Sequence, residues 1–192
     1  YGRAPAPQNE ETRFDPVSPY AISKLAGFEL TKMYREAYGL FACSGILFNH
    51  ESPRRGEEFV TQKIVKAAVA IKQGRANELR LGTLDVRRDW GFAGDYVEAM
   101  WKMLQQEMAA DYCIGTGVSH SIQDILDIVF GMLELDWKQY VKVDAQYARP
   151  VEIKEVRADA GKAARRLDWE AKTSFEELLK MMVAAELTKV NS

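Results

Sequence analysis

Apolar positions along this chain recur first at helical spacing and then in short unbroken runs, and the two patterns alternate. Pro19–Tyr38 is predicted to be a helix: Ser18 is a good N-cap, Pro19 suits the first helical position, and Gly39 is a natural C-cap. Residues 41–48 form an apolar run of the kind found in buried parallel strands. A second helix is expected over 59–72, ending before Gly74, and a short strand over 78–84. Helix over 95–105, strand over 111–115, helix over 121–133 behind a serine cap and a short strand over 141–144 follow. Ser174 and Glu177 form a capping box that opens a last helix over 174–188. Such alternation marks an α/β fold. Residues 3–17, with three of the six prolines, are expected to be an extended surface segment.

Composition narrows the function classes. The 192 residues are 47% hydrophobic and 28% charged, enough to bury a sizeable core. The net charge of −2, with no basic stripe interleaved with aromatics, argues against nucleic acid. No apolar run approaches the ~20 residues that span a bilayer, and no signal peptide opens the sequence, so no membrane role is expected. Cys43 and Cys113 fall in strand-like runs and read as small buried hydrophobes, which suits a reducing, cytoplasmic setting. His50 and His120 are too far apart, with too few companions, to imply a metal site.

Two features carry candidate chemistry. Tyr20 and Lys24 lie four residues apart at the start of the first helix, one turn from each other. A phenol with an ordinary pKa near ~10 becomes a usable base near neutrality when a cation beside it favours the phenolate. By itself the pair also fits an ordinary amphipathic helix. The second feature is the loop Asn49-His50-Glu51-Ser52-Pro53-Arg54-Arg55-Gly56, which follows the apolar run. Open α/β sheets bind ligands at the carboxyl ends of their strands, and an amide, an imidazole and two guanidiniums suit sugar hydroxyls and phosphates. A solvated polar loop is the competing reading.

Together, the Tyr-x-x-x-Lys helix, the strand and Phe48-Asn49-His50-Glu51-Ser52-Pro53-Arg54-Arg55-Gly56 resemble the nucleotide-sugar branch of the extended short-chain dehydrogenase/reductases, and within it the GDP-mannose 4,6-dehydratases. The resemblance continues through residues 59–64, 81–91, 95–101 and 147–152 and the Leu167-Asp168-Trp169 segment, covering nearly the whole chain. The loop motif is specific to the dehydratases, whereas Tyr-x-x-x-Lys marks only the superfamily. No glycine-rich dinucleotide fingerprint follows a strand. In the family, Tyr1-Gly2 would close a segment whose Ser or Thr and Glu complete the active site. The chain therefore resembles the C-terminal part of a longer protein.

The resemblance implies the C-terminal part of a Rossmann-like doubly wound parallel sheet, interleaved with a small α/β substrate-binding domain. Residues 1–57 and 86–117 would belong to the NADP-binding domain, and 58–85 and 118–192 to the substrate domain. It also implies roles. Tyr20 would take the proton from the sugar's 4-hydroxyl, and Lys24 would lower its pKa and hold the nicotinamide ribose. Asn49 would contact substrate, and His50 and Arg55 the cofactor. The Arg54-Arg55 loop would reach a partner subunit in a homo-oligomer, a dimer or tetramer. Val60 and Lys63 would line the nucleotide pocket, Arg88 and Arg149 would clamp the diphosphate or nucleotide, and Glu152 would accept from a ribose or base. A solvated surface position is the competing reading for each of these arginines. Trp90, Trp101, Trp137 and Trp169 read as core or edge aromatics.

The implied reaction converts GDP-mannose to its 4-keto-6-deoxy derivative, with NADP as cofactor and loss of water. The 192 residues alone are expected to bind a dinucleotide poorly and to show no turnover. An epimerase or reductase of the same superfamily, or a non-catalytic nucleotide-sugar-binding module, are the alternatives.

Overall fold

The computed structural model describes residues 1–147 and 151–190. Its elements are α1 (Pro19–Tyr38), β1 (Gly45–Leu47), β2 (Asn49–Glu51), α2 (Val60–Lys72), β3 (Leu79–Leu81), β4 (Arg87–Arg88), β5 (Trp90–Phe92) and α3 (Ala93–Met103). There follow β6 (Tyr112–Ile114), β7 (His120–Ser121), α4 (Ile122–Met132), β8 (Val141–Val143), β9 (Glu155–Val156), α5 (Gly161–Leu167) and α6 (Phe175–Val190). The chain divides into two compact units, each assembled from three separate stretches. The first comprises Tyr1–His50, Arg88–Ser119 and Glu155–Lys172. The second comprises Glu51–Arg87, His120–Lys154 and the residues from Thr173 on.

In the first unit β1 pairs parallel with β6, in the register Gly45↔Tyr112, Ile46↔Cys113, Leu47↔Ile114. Only three residues of the apolar run at 41–48 are ladder-bonded in β1, and they are exposed or half-buried. That corrects the expectation of a long, fully buried strand: among the described residues β1 has a single neighbour, so its other edge is open. β6 is buried throughout, and the core around it joins Tyr96, Ala99, Met103, Tyr112, Ile114, Ala163, Leu167 and Trp169. Trp169 closes this core, its indole N–H donating to the Asp95 carbonyl at 2.9 Å and its ring meeting Tyr96 edge-on.

Local signals account for α1. The Ser18 hydroxyl accepts from the Ala21 N–H at 3.1 Å, and Gly39 ends the helix at φ 64°, in the left-handed region that glycine enters without penalty. Its last turn is anchored by Arg35, which donates to both oxygens of Asp111 at 2.8 and 2.7 Å and to the Ala42 carbonyl at 2.8 Å. Burial alone would raise the Asp111 carboxyl, but the bonds from Arg35 and from the Ser44 N–H outweigh it and hold its pKa low. No residue of α1 is buried, and Ile22, Leu30 and Met33 are exposed along it.

The segment at 3–17 is extended at the surface as its prolines suggest, except where Gln8 enters the core. Gln8 is fully buried: its backbone N–H and side-chain oxygen bond the Arg157 carbonyl and N–H, and its carbonyl accepts from Asp159. Glu10 accepts from the Cys113 N–H at 2.7 Å, and the Tyr1 phenol donates to the Asn9 carbonyl while standing 2.8 Å from the Cys113 sulfur. Burial pushes the Cys113 thiol up to about 12, so it is an inert core group as expected. Cys43 is half-buried and also free.

In the second unit α2, α4 and α6 pack on one another, burying Ile64, Val65, Ala68, Leu126, Phe130, Leu179 and Met182. β3 pairs parallel with β8. Ser121 and Asp124 form a reciprocal capping box on α4, and Ser174 with Glu177 does the same before α6. Among the described residues no helix is long and apolar enough to cross a membrane.

Candidate active site

Four of the residues singled out by sequence converge on one pocket in the first unit. Tyr20 and Lys24 on α1 and Asn49 and His50 after β1 line a cavity of about 800 Å³, whose apolar wall includes Phe28, Ile46 and Phe48. Tyr20 follows the helix-opening Ser18-Pro19 pair, which places its phenol in the first turn. It is 71% exposed, and the Lys24 ammonium stands 5.5 Å from the centre of its ring. Both side chains are thus open to a ligand.

His50 is oriented by its own strand. Its Nδ1 lies 3.0 Å from the Phe48 carbonyl, which can only accept, so Nδ1 carries the proton and Nε2 of the neutral ring is left as an acceptor. The ring also packs against Tyr96 at 5.4 Å, and the Tyr96 hydroxyl donates to the Asn49 carbonyl at 3.3 Å. Arg88 lies in β4 of this same unit but does not line the cavity.

The second unit holds the rest of the candidates. Arg55 leans on Glu51 of its own chain, Nε to Oε2 at 3.0 Å, as an ion pair whose N–H is not aligned for a hydrogen bond. Its guanidinium also lies on the Phe59 ring. Arg54 is exposed. Glu51, to which sequence reasoning assigned no role, organises the loop: it is buried and also accepts from Thr61 at 2.7 Å. Burial raises its pKa, opposed by the Thr61 bond and the Arg55 charge. Its only advance signal was an acid four residues before an arginine.

Val60 opens α2, and Lys63 donates to the Arg80 carbonyl at 2.8 Å with its ammonium 4.7 Å above the Tyr147 ring. Glu152 is half-buried. Arg149 lies outside the described residues. Among the described residues no three His, Cys, Asp or Glu side chains group as a metal site. The hydroxyl, ammonium, amide and imidazole around the first unit's cavity form a donor–acceptor set suited to sugar or ribose hydroxyls.

Known proteins resemble this chain along nearly its whole length. A GDP-mannose 4,6 dehydratase 2 from Arabidopsis thaliana is 56% identical over 187 residues, covering 97% of this chain and 50% of that protein. A GDP-mannose 4,6 dehydratase from Drosophila melanogaster is 44% identical over 205 residues, covering 97% of this chain and 52% of its own length. The chain thus spans about half the length of the curated relatives it matches. Among solved structures, RMD from Pseudomonas aeruginosa complexed with NADPH superposes with a TM-score of 0.86 at 24% identity, over 96% of this chain and 60% of that one, a likeness of fold. The sequence profile described as GDP-mannose 4,6 dehydratase matches residues 1–182, and the chain belongs to that family.

Proposed function

We propose that this chain supplies the general base for oxidation at C4 and the substrate clamp of a GDP-mannose 4,6-dehydratase. The observation that carries the proposal is the convergence of Tyr20, Lys24, Asn49 and His50 on one cavity in a chain of this family. Their exposed hydroxyl and ammonium and half-buried imidazole fit the ribose and nicotinamide end of a dinucleotide, NADP in this reading. When bound, that group supplies a place to store a hydride and to give it back.

The chain's own residues do the rest. Tyr20 accepts the proton of the sugar's 4-hydroxyl as C4 is oxidised, and Lys24 supplies positive charge beside the phenol and holds the ribose. Asn49 orients the sugar, and His50, fixed through Nδ1, offers Nε2 as an acceptor. Once C4 is a ketone the C5 proton is acidic, because the carbanion is delocalised into the carbonyl. Loss of that proton with the 6-hydroxyl as water, followed by reduction at C6, leaves a 4-keto-6-deoxy sugar. Arg88 and Arg149 hold the diphosphate, with Val60, Lys63 and Glu152 at the nucleotide. The Arg54-Arg55 loop serves the cofactor, its exposed Arg54 toward a partner subunit of a homo-oligomer. The exposed apolar residues of α1 and the open edge of β1 fit a surface that the remainder of a longer doubly wound sheet would cover. In this reading the 192 residues alone do not turn over.

Full-length protein incubated with GDP-mannose and NADP is expected to release a GDP-linked 4-keto-6-deoxy sugar, detectable by mass as a loss of one water. Recovery of unchanged GDP-mannose, or of a C4 epimer of the same mass, would overturn the proposal.

A further inference from the structure

Asp89, between β4 and β5, is wholly buried, and its carboxylate is saturated from two remote stretches of the first unit. Oδ1 accepts from the Thr116 N–H at 2.9 Å and the Thr116 hydroxyl at 2.7 Å. Oδ2 accepts from the Gly117 N–H at 2.9 Å and the Ala158 N–H at 3.0 Å. The Asp89 N–H itself donates to the Val156 carbonyl at 2.9 Å. Room for the carboxylate comes from Gly115, where a Cβ would stand 2.9 Å from Oδ2 and 2.5 Å from the Ala158 Cβ. Gly117 turns the loop at φ 79°.

A buried carboxylate is costly to desolvate, and an apolar residue of similar size usually stabilises a core as well or better. What the carboxylate adds is directionality: four donors fix the backbone at 89, and so the residue before it, more tightly than packing alone. We propose that Asp89 is the positioning residue for Arg88, setting the β4 backbone so that the neighbouring guanidinium is held in place to grip a nucleotide diphosphate. The proposal rests on the clamp role given to Arg88 above.

The test is a double-mutant cycle in full-length protein, with GDP and, separately, NADP titrated by calorimetry. Arg88→Ala is expected to weaken GDP by roughly 30-fold or more, the loss typical of a truncated charge-assisted contact. Asp89→Asn puts an amide N–H where a backbone donor needs an acceptor, and should weaken GDP about tenfold while leaving NADP within about twofold. Because Asp89 acts through Arg88, the double variant should bind GDP no worse than Arg88→Ala within about twofold, the mark of coupled sites. Thr116→Val, which removes one of the four bonds, should show the same selectivity at about two- to threefold, and it decides the matter if Asp89→Asn does not fold. Equal losses for GDP and NADP, or additive losses in the double variant, would make Asp89 a purely structural residue and overturn the proposal. Normal GDP binding by Asp89→Asn and Thr116→Val beside a weakened Arg88→Ala would sink it while sparing the clamp. Normal binding by Arg88→Ala would remove the clamp and the proposal together.

Discussion

Tyr20→Phe in full-length protein is expected to lower turnover of GDP-mannose by about 10²–10⁴-fold, the usual effect of removing a general base. Tyr20 is 71% exposed on α1, so its ring supports little of the fold, and phenylalanine keeps what packing there is. The loss should therefore appear in kcat, with GDP-mannose affinity measured by calorimetry close to that of the parent. In the proposed mechanism Lys24, whose ammonium stands 5.5 Å from the ring centre, shares this step. Near-normal turnover by Tyr20→Phe would make the pair an ordinary surface feature of the helix.

The largest expected effect on stability comes from Trp169, which is only 2% exposed in the core of the first unit. Trp169→Ala would remove an indole packed edge-on against Tyr96 and the N–H that donates to the Asp95 carbonyl at 2.9 Å. Emptying such a site typically costs about 3–5 kcal/mol. Trp169→Phe keeps an aromatic ring and loses one hydrogen bond to a carbonyl within α3, for about 0.5–1.5 kcal/mol. Urea denaturation of the two variants beside the parent checks both values. A Trp169→Ala protein within about 1 kcal/mol of the parent would mean that the site refills by rearrangement.

How much of this was legible beforehand follows the range of the interactions concerned. The α1 helix was readable to the residue because Ser18, Pro19 and Gly39 act within a turn of its ends. The serine cap at Ser121 and the capping box at Ser174 act over three residues and were equally visible as signals, though the reciprocal bond from Asp124 that makes a box at Ser121 was not read. Asp89 was not, because its donors are 27 and 69 residues away and no local pattern marks a saturated carboxylate. Gln8 was hidden for the same reason, its partner lying 149 residues on. The run at 41–48 was over-read because apolar content reports a preference for burial, while strand length depends on the neighbours present to bond it. Within the site, Tyr20, Lys24, Asn49 and His50 could be picked out as motifs, but the single cavity they share is a product of tertiary structure, lined from both α1 and the β1 region. The role of Glu51 in holding Arg55 and Thr61 emerged only with the coordinates, since the loop was read for its amide, imidazole and guanidiniums and its carboxylate was given no part.

The central claim is that oxidation at C4 and reduction at C6 occur on one sugar in one site, and isotope tracing tests it most directly. GDP-mannose carrying deuterium at C4 would be incubated with full-length protein and NADP, and the product analysed by NMR and mass spectrometry. The account predicts a 4-keto-6-deoxy product with the deuterium now in the C6 methyl group. A product without deuterium at C6, or deuterium still at C4 of an epimerised sugar, would contradict it.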